Sequence, residues 1–214
     1  IFFLICFQGF MGWYMVKSGL VNEIDVSHFR LSIHLVIAFL ILSMIIWNYL
    51  KILNIQNTSI RINKFIPISF LILIFLQIII GAFVSGMDAG KIYNSWPLMG
   101  SSYFPNDNDF VDLFKLDAFS DPSLVQFMHR NLAYIIFIFY IFILIKIYRN
   151  KLKNLYLAIN IVGLFLLIQI LLGIFTLLYG AQIFLASMHQ LSSIFLVSSS
   201  VYLLYLNSNQ QLSS

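Results

Sequence analysis

The chain has 214 residues, 61% of them hydrophobic and 9% charged, whereas a soluble domain is near a quarter charged; a water-soluble fold is excluded and an all-α integral membrane protein is predicted. A single cysteine, Cys6, leaves no partner for a disulfide within the chain and argues against a cysteine-based zinc or iron–sulfur centre. The net charge of +4 is distributed as membrane topology requires, so no nucleic-acid partner is expected and the lipid bilayer is the expected surroundings.

A membrane span needs about 20 apolar residues, and six runs approach that length in chain order. The first, Ile1–Val16, has neither a charged leader nor a small-residue cleavage site, so it does not read as a signal peptide. The sequence starts without Met inside this run, which raises the expectation of further chain upstream. An outer segment, Lys17–Arg30, follows; His28 within it reads as a surface residue. The second run, Leu31–Leu53, leads into Lys51–Phe65, which carries Lys51, Arg61 and Lys64 with no acid. The third, Phe65–Val84, leads into the long segment Met87–Ser123, with Asp88, Asp107, Asp109, Asp112, Asp117 and Asp121 against Lys91 and Lys115. The fourth, Leu124–Tyr148, ends in Lys146, Arg149, Lys151 and Lys153, again without acid. The fifth and sixth, Leu155–Tyr179 and Ile183–Leu206, are joined by Gly180–Gln182, and residues 208–214 form a polar tail. Basic connections stay on the cytoplasmic side. The acidic segment and the short turn at Gly180–Gln182 then face outward, and this orientation holds through all six runs.

The runs contain a repeat. The first, third and fifth end in Gln-x-x-x-Gly: Gln8 and Gly12, Gln77 and Gly81, Gln169 and Gly173. The second, fourth and sixth open with His-x-x-x-small: His34 and Ala38, His129 and Ala133, His189 and Ser193. The unit is a helical hairpin, and its three histidines lie at one depth, within about two turns of the outer surface, on helices of the same direction. The small residue four positions on shares the histidine's face and leaves a shelf for a flat macrocycle. Two histidines on facing bundle helices are a standard axial pair for haem iron. A lone intramembrane histidine has a plainer rival role as an interhelical hydrogen bonder; three in phase favour the ligand reading. The glutamines read as interhelical glue and the glycines as points of close approach. Arg130, beside His129, is by default a snorkelling cation, but next to a haem ligand a propionate is its natural bidentate partner. Trp13, Tyr14 and Trp96 fit an interfacial aromatic belt.

Three hairpins supply three histidines where haem uses them in pairs. His129 and His189 can pair; His34 needs a mate on a further hairpin. The expected whole is therefore an eight-helix protein made of two four-helix bundles. Residues 1–64 are half of the first, residues 65–207 the whole of the second with its outer loop 87–123, and residues 208–214 a tail.

The stretches GWYMVKSGLV (Gly12–Val21), FRLSIHL (Phe29–Leu35), GAFVSGMDAGKIYNSWPLMG (Gly81–Gly100), VQFMHRNLAY (Val125–Tyr134) and ASMHQLSS (Ala186–Ser193) closely resemble haem A synthase, in its mitochondrial and alphaproteobacterial branch. The resemblance runs in order over essentially the whole chain and matches the last six of that family's eight spans. It implies an oxidoreductase of the bacterial inner membrane, or the mitochondrial one in a eukaryote. The reaction implied is oxidation of the C8 methyl of haem O to a formyl group, giving haem A for cytochrome oxidase. The resemblance further implies a resident haem b on His129 and His189, with Arg130 as a cofactor contact, and the substrate haem iron on His34 as the catalytic site. The substrate site's second ligand and an acidic residue would lie upstream. Partners implied are haem O, an electron carrier, haem O synthase and a second copy of the chain. A cysteine pair used by another branch has no counterpart in the outer segments here. The competing reading is an electron-transferring b-type cytochrome, which lacks use for the long acidic loop. A transporter would place its ionisable groups at mid-membrane.

Overall fold

A computed structural model describes residues 1–19, 26–53, 55 and 61–208. Parts of the expected outer segment Lys17–Arg30, of the basic connection Lys51–Phe65 and of the tail 208–214 lie outside the described residues. Six α-helices account for the described spans: α1 (Phe2–Gly19), α2 (His28–Ile52), α3 (Phe65–Gly86), α4 (Pro122–Arg149), α5 (Lys153–Leu178) and α6 (Ile183–Ser208). Helices α2 to α6 are each long and apolar enough to cross a membrane; α1 is the shorter apolar helix. No β-strand occurs among the described residues, so the all-helical membrane class holds.

Helix ends follow local chemistry. Asp121 caps α4 by accepting a hydrogen bond from Leu124 N at 2.9 Å, and Pro122 fills the first helical position. Gly180, at φ 67°, ends α5; Ala181 N donates back to Thr176 O at 2.8 Å, a turn that needs a left-handed residue at this position. Lys151, at φ 53°, performs the same turn between α4 and α5, with Leu152 N donating to Ile147 O at 3.1 Å.

Helices α3 to α6 close a ring: α3 touches α4, α4 touches α5, α5 touches α6, and α6 returns to α3. Helix α2 lies against α3 and α6, and α1 against α2. The dry core fills the half of the ring nearest the basic connections, through Phe70, Ile143, Ile147, Leu155, Ile159, Val162 and Leu203. At that end Ile62 and Asn207 exchange two hydrogen bonds of 3.1 Å each, tying the α2–α3 connection to the end of α6. At the other end the acidic loop meets the α5–α6 turn, where Asn94 Nδ2 donates to Leu177 O at 2.9 Å. The two charge classes thus sit at opposite ends of the ring, as the sequence predicts. Towards the loop end, burial thins on α5 beyond Gln169 and on α6 before Ser192.

In lipid, apolar area gives little drive for helix pairing, so close contact at small residues decides it. The α4–α5 crossing shows this. A Cβ on Gly163 would lie 2.0 Å from the Tyr140 hydroxyl. Gly163→Ala is therefore expected to lower stability by about 1–3 kcal/mol, the usual cost of overpacking. Thermal unfolding in detergent measures it, and an unchanged midpoint would show that Tyr140 swings away freely.

Candidate functional site: three histidine hairpins and the loop above them

Each hairpin builds the same contact. Gln-x-x-x-Gly sets its two residues on one helix face, and that face meets the histidine of the next helix. A Cβ on Gly12, Gly81 or Gly173 would stand 3.1 Å from Cε1 of His34, His129 or His189 respectively. That is closer than ordinary contact, so these glycines make room for an imidazole and not only for helix backbone. The glutamines are part of the same arrangement. Gln8 Nε2 lies 3.2 Å from His34 Nε2. Gln77 Nε2 lies 3.3 Å from His129 Nε2 and donates to the His129 carbonyl at 3.0 Å. Gln169 Nε2 donates to the His189 carbonyl and to Ser192 Oγ, both at 2.8 Å. Reading the glutamines as glue thus catches their reach across the hairpin and misses its target, the histidine. The signal was their fixed place one turn before each glycine.

The structure places His129 on α4 and His189 on α6, both within the α3–α6 ring. His34 stands in the separate α1–α2 hairpin. Nδ1 of all three histidines is buried without a hydrogen-bond partner, as is Oε1 of Gln8 and Gln77. Buried polar atoms ordinarily find partners; orphaned imidazole nitrogens at equivalent positions fit a group supplied from outside the chain. No cluster of three His, Cys, Asp or Glu side chains exists among the described residues.

Because the glycine contact fixes each ring, Gly173→Ala and Gly81→Ala are expected to displace the His189 and His129 imidazoles and distort any spectrum that depends on them. Gly9, with nothing within 4 Å of its Cβ position, is the control: Gly9→Ala should leave that spectrum alone. Equal spectra for all three variants would contradict the role given to the contact.

His28 differs from its sequence reading, and Arg130 has protein partners that the sequence did not show. Arg130 neither snorkels nor takes a carboxylate from the protein: Nη1 donates to Ser95 O at 2.9 Å and Leu98 O at 3.2 Å, and Nη2 to Tyr93 O at 2.9 Å. Its Nε is buried without a partner. His28 is not a loop surface residue but the first residue of α2. It packs edge-on to Phe83 at 5.3 Å between ring centroids, where Gly86 leaves it room. Sequence reasoning saw no apolar period across Ser27–Arg30 and placed the helix start three residues late.

The acidic loop is pinned to α4 by Asp107, whose carboxylate accepts from Tyr93 Oη at 2.9 Å and Ser123 Oγ at 2.6 Å. Partial burial opposes its charge, but the Ser123 and Tyr93 hydrogen bonds prevail and hold it below the ordinary 3.8. A depressed carboxylate stabilises the fold above its unfolded value and loses that contribution as pH falls through the folded one. The loop is therefore expected to loosen only as pH falls below the ordinary carboxylate range, and Asp107→Asn should loosen it at neutral pH. Hydrogen exchange over Tyr93–Asp107 reads both; equal protection in the variant would count against the pin.

The family model described as cytochrome oxidase assembly protein, COX15-CtaA, matches residues 1–201. The chain belongs to this family. A Pelagibacter ubique protein named heme A synthase is 49% identical over 209 residues, 98% of this chain and 62% of the relative. Rickettsia bellii and Flavobacterium johnsoniae proteins of the same name are 44% and 39% identical, covering 91% and 93% of this chain and 59% and 60% of the relatives. The chain thus spans about three fifths of the length of the curated relatives it matches. Membership of the cytochrome oxidase assembly family, bacterial relatives and five long apolar helices make it a multi-pass inner-membrane protein.

Proposed function

We propose that the complete protein is a haem A synthase, oxidising the C8 methyl of haem O to the formyl group of haem A. The observation that carries the reading is the repeated hairpin: a histidine seated on a glycine, with a glutamine beside it, three times at the loop end of a chain whose relatives bear that name. Residues 65–207 form the bundle that would hold a resident haem b, with His129 and His189 as the residues that would bind its iron. Residues 1–64 contribute His34 to the substrate haem's site, whose remaining helices belong to a fuller eight-helix protein. Bound there, the haems would supply the redox chemistry of methyl oxidation.

The chain's own residues have three tasks. Gln77 and Gln169 bond to the carbonyls of His129 and His189, fixing the start of α4 and α6 against their neighbours. Such outer-shell partners tune ligand orientation. Gly12, Gly81 and Gly173 set how near each imidazole stands to the neighbouring helix. The acidic loop covers the same end, with Asn94 and Arg130 fastening it to α5 and α4. An electron carrier, haem O synthase and a second copy of the chain are the proposed partners.

The full-length gene should restore haem A to bacteria that make haem O but cannot convert it. Haem O accumulating unchanged, with the protein present in the membrane, would refute the proposal. A b-type cytochrome would give that outcome while still binding haem.

A further inference from the structure

A half-buried arginine beside a haem ligand would ordinarily be matched to a carboxylate, yet here the protein gives it only backbone. Both terminal nitrogens of Arg130 are used on Tyr93 O, Ser95 O and Leu98 O. The same carbonyl of Tyr93 also accepts from Gln126 Nε2 at 3.1 Å, one turn earlier on α4. One turn later, Tyr134 Oη accepts from Trp96 Nε1 at 3.0 Å. Gln126, Arg130 and Tyr134 thus form a ladder at four-residue spacing that straps residues 93–98 along α4. Asn94 carries the strap across to α5, donating to Leu177 O at 2.9 Å and to Gly90 O at 2.8 Å. The ion pairs among the described residues are Lys91–Asp88 and Lys115–Asp112, so no carboxylate of the described chain neutralises Arg130.

We propose that Arg130 is a positioning residue that latches residues 93–98 along the outer part of α4 beside His129 and holds its positive charge there, raising the reduction potential of the haem that His129 and His189 hold. The inference rests on the two-histidine reading. Two effects act in one direction. A fixed cation near the iron disfavours the oxidised, more positive state. A strap that keeps water from the outer end of the bundle disfavours it as well, because solvent stabilises the charged form. The rigid guanidinium fork suits the latch, since it reaches several carbonyls at once where an ammonium is a point charge.

The test is an optical redox titration of the full-length, haem-loaded protein with three variants. Arg130→Met removes charge and fork and should give the largest fall in potential. Arg130→Lys keeps the charge and should fall less. Asn94→Ala keeps Arg130 whole and loosens only the far end of the strap, so its fall should be smallest. Hydrogen exchange at residues 93–98, which needs no haem, should rise in all three. An unchanged potential in Arg130→Met would overturn the proposal. So would loss of haem from both Arg130 variants with Asn94→Ala unaffected, because Arg130 would then be a direct haem contact. Absence of low-spin haem from the unaltered protein would instead defeat the two-histidine reading beneath it.

Discussion

Replacing either His129 or His189 with alanine in the full-length protein is expected to abolish the low-spin haem b spectrum of the second bundle. Loss of even an outer-shell partner of a metal ligand costs about 10–100-fold in affinity, and loss of the ligand itself should exceed that. Gln77→Leu, which removes the group 3.3 Å from His129 Nε2 but keeps the imidazole, should fall within the outer-shell range. The two histidines occupy equivalent seats, each with Cε1 3.1 Å from the Cβ position of its glycine, so the two alanine variants should fail alike. A normal low-spin spectrum in both would show that the iron is held elsewhere. A spectrum lost in one only would break the symmetry on which the pairing is argued.

His34→Ala should separate two roles that the same hairpin unit serves. His34 repeats the glycine contact and the neighbouring glutamine, but it belongs to α2, outside the α3–α6 ring. A substrate haem must enter and leave, so the first bundle should bind its haem more weakly than the second. The variant is therefore expected to stop conversion of haem O almost completely while the spectrum of the His129–His189 site persists. Chromatography of haems from cells expressing the variant reads the first effect, and the purified protein's spectrum reads the second. Unimpaired haem A formation would reduce His34 to a packing residue. Disappearance of all bound haem would mean that the two sites are one.

Much of this arrangement was legible because membranes impose simple rules. Apolar runs must be helices, and the structure moves their ends by no more than three residues; α3 begins at Phe65 in both readings. The histidine–glycine phase was legible because period and topology coincide three times. The contact between them was not, since Gln-x-x-x-Gly states only that a face is small and polar, not which side chain enters it. The protein partners of Arg130 were hidden for a related reason. Its partners are backbone carbonyls of Tyr93, Ser95 and Leu98, and a carbonyl's availability depends on how the loop folds, which no side-chain pattern encodes. The loop's short 3₁₀ turns, Ala89–Lys91, Phe110–Phe114 and Leu116–Ser120, were hidden likewise: they follow no hydrophobic period, and the second is fixed by the reciprocal caps of Asp109 and Asp112. His28 went astray because Phe83 and Gly86, which receive it, lie on another helix.

The central claim is that one chain carries two kinds of haem site, one resident and one for substrate. Pigment analysis of the purified full-length protein tests it most directly: acid extraction of the bound haems, followed by separation and identification by mass. Haem b accompanied by haem O, haem A or an oxidised form between them is the predicted result. Haem b alone, from cells that also make haem O, would contradict it and leave a b-type cytochrome built on the same histidine hairpins.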